Sequence, residues 1–278
     1  MKKVYLLVLA IGMMAGTLQA QNIYIRLGVG GGVGLKQYES YNWYNETETN
    51  SADNIEIKSM GLGSGLNVNL GLGYKLSNYV AIELGVNEFI GLNKKIEQSS
   101  SSGSYNNAYE DKMSGMMLQI VPAIVITPGL EKINPYARLG VIIGVMPSVT
   151  SNFTSTYDYV PDLKASTISE GKTKLSGGLP LGFTAAGGAS CRLGEKLDFF
   201  AELVFNGNTY APSKGKLKEW TIDGVDQLPT ATTKEKEWTF EKEFDADENI
   251  PDGSPDKVAK VSYNFSNVEV NIGIKLKL

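Results

Sequence analysis

Four charged side chains recur in one short sequence context. Arg26 stands in Tyr24-Ile25-Arg26-Leu27-Gly28-Val29, and Glu83 in Ala81-Ile82-Glu83-Leu84-Gly85-Val86. Arg138 stands in Tyr136-Ala137-Arg138-Leu139-Gly140-Val141, and Glu202 in the degraded copy Phe200-Ala201-Glu202-Leu203-Val204-Phe205. The signs alternate, so the chemistry open to this set is mutual ion pairing. Four such charges brought together out of water are tolerable if all are paired, whereas one left alone costs several kcal/mol, about 3–5. Two roles fit: a structural plug that fixes strand register, or a gate that rearranges to pass ions. Catalysis is a poor fit. The chain has no histidine, which removes Ser-His-Asp and Cys-His mechanisms and histidine-ligated metals together. The single cysteine, Cys191, allows no internal disulfide and reads as a small apolar residue on an outward strand face. No residue set points to a catalytic centre, a cofactor or a metal. The oxygen-rich run Asp245 to Gly253 resembles a calcium loop only in part, because its spacing departs from the helix-loop-helix pattern, and it reads as a solvated acidic loop tip.

Each copy alternates apolar with polar or small residues, the period of a two-faced β-strand. A spacing of about 55–65 residues between copies leaves room for a strand, a loop, a returning strand and a turn. Strands are predicted over 22–35, 59–76, 79–92, 113–127, 135–148, 175–193, 197–209 and 260–278. The second is the clearest. Met60, Leu62, Leu66, Val68, Leu70, Leu72, Tyr74 and Leu76 share one face, and Gly61, Gly63, Gly65, Asn67, Asn69, Gly71, Gly73 and Lys75 share the other. Pro122 in the fourth predicts a bulge there. Short turns are expected at 76–79, 128–134 and 194–196, and loops at 36–58, 93–112, 149–174 and 210–259. Within the last, segments 216–222 and 235–240 are expected to pair as a hairpin. The strands exceed the roughly 9–11 residues that cross hydrocarbon, so some should project beyond it.

The face opposite the aliphatic residues is mostly glycine, 31 of which occur in the chain. Glycine suits a solvated strand surface badly, because it is entropically costly and covers nothing. It suits the crowded lumen of a narrow barrel, whose eight-stranded form has an interior only wide enough for side chains. The apolar faces are therefore expected to point outward into lipid. The charges lie at similar heights on strands one, three, five and seven, with Tyr24, Tyr136 and Phe200 inward two residues earlier as an aromatic layer at the turn-side end. The expected fold is all-β: a closed eight-stranded antiparallel transmembrane barrel with short periplasmic turns and long extracellular loops.

Residues 1–20 read as an export signal. Lys2 and Lys3 precede an apolar stretch from Val4 to Gly16, and Leu18-Gln19-Ala20 ends in a small residue before Gln21. Residues 21–278 then form the barrel domain. Acidic residues outnumber basic ones, 30 to 26, which argues against a nucleic-acid partner. Loop aromatics (Tyr38, Tyr41, Trp43, Tyr44, Tyr105, Tyr109, Tyr157, Tyr159, Trp220 and Trp238) could recognise an external partner, stack on one another, or lie among lipid headgroups.

The signal segment, the four hairpins, the inward Arg/Glu set and the amphipathic C-terminal strand together resemble the small outer-membrane β-barrel family of the outer membrane protein A or X type. The resemblance covers almost all of the chain after the signal and is architectural. It implies an outer-membrane location, insertion by the barrel-insertion machinery of a Gram-negative envelope, and contact with outer-membrane lipid. That family commonly ends in an aromatic residue, where this chain ends in Leu278. Its enzymatic members use active-site histidines, which this chain lacks. The functional expectation is a structural or surface-interaction scaffold with a plugged, charge-paired lumen; the alternative is a narrow pore for ions or small solutes.

Overall fold

The computed structural model describes residues 22–35, 61–102, 105–159, 166–243 and 249–278. The segment 1–20 and the whole of the 36–58 loop lie outside the described residues. The strands are β1 (Ile23–Gly34), β2 (Gly65–Lys75), β3 (Val80–Gly91), β4 (Lys94–Ser102) and β5 (Tyr105–Ile126). They continue as β6 (Ile133–Tyr159), β7 (Ser166–Ser176), β8 (Leu181–Arg192), β9 (Leu197–Tyr210) and β10 (Lys214–Ile222). The rest are short except the last: β11 (Val225–Asp226), β12 (Glu237–Glu241), β13 (Asp256–Ala259), β14 (Tyr263–Asn264) and β15 (Asn267–Lys277).

Eight of these strands close on themselves in the order β6-β8-β9-β15-β1-β2-β3-β5, with β5 returning to β6. Every pairing around the ring is antiparallel. A closed ring leaves no unpaired strand edge, which hydrocarbon requires because it offers backbone groups no water. The alternation sets the faces as the residue pattern implies. Val29 is 56 % exposed, Leu70 50 % and Val270 60 %, while Arg26, Asn69 and Asn271 beside them are buried. Leu84, Ile124, Leu139, Phe183 and Leu203 are exposed in the same way on the other strands. A continuous apolar belt on all eight strands far exceeds the patches that water-soluble monomers show; lipid is its natural solvent.

The two longest strands explain what stands above the belt. β5 has 22 residues and β6 has 27, well beyond a membrane span. Their upper halves leave the ring together and carry β4 on one side and β7, β10, β12 and β13 on the other. This corrects two expectations. The described parts of 93–112 and 149–174 are not loops but strands of an open sheet, over Lys94 to Ser102, from Tyr105 onward, up to Tyr159 and from Ser166 onward. Both faces of that sheet are largely polar, so they lack the period-2 hydrophobic signal. The expected sixth strand also spans two elements: residues 175–176 end β7, and Gly177 and Gly178, both at positive φ (76° and 77°), turn the chain into β8. Any Cβ at Gly178 would meet the backbone carbonyl of Ala211. The final strand starts at Asn267 rather than 260, because Tyr263–Asn264 pairs separately with β9. The hairpin expected of 216–222 and 235–240 forms only at its edge: β10 and β12 pair through Lys214↔Thr239, Gly215↔Trp238 and Lys216↔Glu237, while Leu217 and Glu219 to Ile222 pair with β7.

The bulge expected at Pro122 lies elsewhere. Pro122 sits opposite Leu84 in unbroken register with β3, and Ile120↔Ile143 and Ala123↔Gly140 keep one register past it on the β6 side. The register shifts between Met116 and Leu118, opposite Val145 to Ser148, so the extra residue belongs to β6. Met146 there has φ 51°. An inserted residue bends and twists a strand, and it falls where β5 and β6 leave the cylinder for the open sheet.

Candidate functional site

The lumen is filled at successive heights, and small residues make the filling possible. Arg26 faces Gly71 on β2, Glu83 faces Gly73 and Ala123, Arg138 faces Ala186, and Glu202 faces Gly188. Each charge thus has a glycine or alanine beside it on an adjoining strand. At Gly71 an added Cβ would lie 3.3 Å from the Glu83 carboxyl carbon and 3.4 Å from Arg26 Cβ, so the space is already taken by the neighbouring charged chains.

The four charges meet at one level. Glu202 is the hub. Its Oε1 accepts from Arg26 Nη2, from Arg138 Nη2 at 2.8 Å and from Asn271 Nδ2 at 2.9 Å, and its Oε2 accepts from the Tyr136 hydroxyl at 2.9 Å. Arg26 also pairs with Glu83, Nη1 to Oε1 at 3.6 Å, and the Tyr24 hydroxyl donates to Glu83 Oε2 at 3.2 Å. Two guanidiniums and two carboxylates therefore cancel in net charge, and three of the four are knit through one carboxylate. The Arg26 guanidinium lies over the Phe200 ring, 4.1 Å from its centroid, an attraction between a cation and the ring's negative face. On the turn side, Tyr24, Tyr136 and Phe200 form a buried cluster with Ala81 and Val125.

Above the charges runs a ladder of amides. Asn69 Nδ2 donates to Asn271 Oδ1 at 3.2 Å, Asn206 Nδ2 to Asn267 Oδ1 at 2.8 Å, and Asn67 Nδ2 to Glu269 Oε2 at 3.0 Å. Higher still, Leu62, Phe89, Met113, Met117, Val149, Leu175, Tyr210, Tyr263 and Phe265 make an apolar plug. Phe265 packs edge-on against Phe89 and Tyr210, with centroids 5.8 and 6.0 Å apart. Leu62, expected on the outward face, is 1 % exposed and belongs to this plug. It precedes the start of β2, so the strand alternation does not govern it. The amide ladder and the plug were not among the candidate residues. The pairs Asn67-Val68-Asn69 and Asn206-Gly207-Asn208 repeat one inward amide spacing and are the signal that marks the ladder.

One buried acid stands above the apolar belt. Asp111 accepts from Ser151 Oγ at 2.8 Å and lies near the Tyr109 hydroxyl. Burial pushes its carboxyl above the ordinary carboxylate range, and the hydrogen bonds from Ser151 and Tyr109 oppose that shift. The folded chain thus holds this proton more tightly than the unfolded chain. Its contribution to stability is full below the unfolded carboxylate range and is lost as pH rises through the raised folded value. Asp111→Asn should therefore raise the denaturant midpoint at neutral pH, and the two proteins should converge in acid; a pH series of unfolding curves checks this.

Of the loop aromatics, Trp238 packs against the apolar plug and covers Gly215, and Trp220 Nε1 donates to Ser169 Oγ at 3.3 Å. Tyr109 and Tyr157 are exposed on the upper sheet. Tyr38, Tyr41, Trp43 and Tyr44 lie outside the described residues, as do residues 245–248 of the acidic 245–253 run, of which 249–253 is described. Cys191 is exposed on the outward face of β8.

A comparison with curated proteins finds no match. The family model for the outer membrane protein beta-barrel domain matches residues 6–221, from before β1 to within β10. The closed ring, the lipid-facing belt and this match agree: the chain belongs to the outer membrane protein beta-barrel family and is a transmembrane barrel of the outer membrane.

Proposed function

We propose that this barrel is a non-conducting, non-enzymatic scaffold, with the loop side extracellular, that holds an open sheet above the outer membrane for contact with an external partner. One observation carries the reading: the lumen is occupied from the aromatic floor through the charge cluster and amide ladder to the apolar plug, while the most elaborate part of the chain stands outside the barrel. In this reading Arg26, Glu83, Arg138 and Glu202 form a structural plug that sets strand register. Residues 1–20 act as a signal peptide, and the barrel-insertion machinery of a Gram-negative envelope places residues 21–278. No cofactor is required.

Planar-bilayer recording tests it. The purified barrel should show no stable open level, with or without Glu83→Ala. Reproducible single-channel steps that Glu83→Ala alters would replace the scaffold with the narrow-pore alternative.

A further inference from the structure

The turn-side mouth of the barrel opens into a vestibule of about 200 Å³. Five cations line it, Lys75, Lys132, Arg192, Lys275 and Lys277, against two carboxylates, Glu131 and Asp198. Asp198 is committed, accepting from Lys277 Nζ at 2.7 Å. Among the described residues, no carboxylate lies within ion-pair distance of Lys75, Arg192 or Lys275. Lys275 is the innermost of these. Its ammonium sits 4.7 Å from the Tyr24 ring centroid and 5.3 Å from that of Tyr136. The hydroxyls of both rings are already spent on Glu83 and Glu202. The aromatic floor holds this cation in place without neutralising it.

We propose that this vestibule is a binding site for a phosphate-type oxyanion. Converging like charges repel unless a counter-charge joins them, and ammonium and guanidinium donors make their strongest hydrogen bonds to phosphate and carboxylate oxygens. Lys275 supplies a charged donor at the floor, Lys75 and Arg192 supply the walls, and Arg192 presents a planar fork suited to two oxygens at once. The cavity is closed inward by Tyr24 and Tyr136, so the ligand enters and leaves by the turn-side mouth and its binding does not depend on whether the lumen conducts. Two sources offer this chemistry at that surface: free inorganic phosphate and the headgroup of an anionic lipid.

The test is calorimetric titration of sodium phosphate into the full chain in an uncharged maltoside detergent, with sodium chloride at matched ionic strength as the reference. Saturable binding that chloride does not reproduce is expected, and the Lys75→Gln, Lys275→Gln double variant should weaken it by roughly tenfold or more. Heat-modifiable migration establishes that each variant is folded. Arg192→Gln, at an exposed wall position, gives a second reading should the double variant not fold, and should also weaken binding. Absence of saturable heat, an equal response to chloride, or unchanged affinity in a folded variant overturns the proposal. Repeating the titration in nanodiscs separates the sources. Phosphate affinity lost when phosphatidylglycerol is added to zwitterionic lipid assigns the site to a headgroup, and affinity retained assigns it to the free ion.

Discussion

Replacing Glu202 with alanine is expected to destabilise the folded barrel by about 3–5 kcal/mol, the range found when one member of a buried charge network is removed. The size follows from what remains. Arg26 keeps only Glu83, at 3.6 Å. Arg138 loses its ion-pair partner, and its Nε already has no hydrogen-bond acceptor. Tyr136 and Asn271 lose the acceptors of their donors. The lumen gains a net positive charge at a level closed on the turn side by Tyr24, Tyr136 and Phe200. Deleting both partners should cost less than deleting one, because neither charge is then stranded. The Arg138→Met, Glu202→Leu pair is therefore expected to be more stable than Glu202→Ala alone. Urea unfolding in lipid vesicles, followed by the gel shift between folded and unfolded forms, measures both. A Glu202→Ala barrel as stable as the parent would remove the energetic role assigned to the cluster.

Gly273→Val is expected to prevent the barrel from closing. Gly273 on β15 lies directly opposite Gly28 on β1, and this pairing joins the first strand to the last. A Cβ at 273 would fall inside contact distance of the Leu27 carbonyl oxygen and 2.7 Å from both Gly28 Cα and Phe200 Cζ. Two of these three obstacles are backbone atoms of the partner strand, so no rotamer change relieves them. Overpacking in a well-filled interior costs about 1–3 kcal/mol and more when backbone must move. Here the strained seam is the one that completes the ring, so the expected result is loss of the folded, heat-modifiable species. Gly187→Ala is the control. Nothing lies within 4 Å of its Cβ position, and the change should stay within about 0.5 kcal/mol of the parent, as surface substitutions usually do.

The barrel was legible because lipid imposes the same rule on every spanning strand. Leu66, Val68, Leu70 and Leu72 alternate with Asn67, Asn69, Gly71 and Gly73 with no exception, since each outward position must be apolar and each inward one must fit a narrow lumen. The sheet above the membrane obeys no such rule. Ser166 to Ser176 and Lys94 to Ser102 stand outside the lipid and carry polar residues on both faces, so their strand character rests on cross-strand pairing that a one-dimensional pattern does not record. The bulge lies away from the proline for a related reason. Proline marks a missing N–H donor, but β5 tolerates that at Pro122 without a change of register, while the extra residue sits in the partner strand at Met146. Of the lumen, the four charges stood out by their repeated context. The apolar plug did not, because Leu62, Tyr263 and Phe265 reach it from segments outside the long strands, and their inward placement follows from tertiary packing alone.

The placement of the lumen cluster and of the sheet above the membrane follows from which face of the eight strands meets hydrocarbon. Nitroxide labels at Leu70 and Leu203, introduced singly into the barrel in lipid vesicles, report this through their collision rates with dissolved oxygen and with a water-soluble nickel chelate. High oxygen and low nickel accessibility is expected at both positions. Ready access of the nickel chelate to both labels, with oxygen accessibility no greater than at a loop-side position such as Lys95, would contradict this placement.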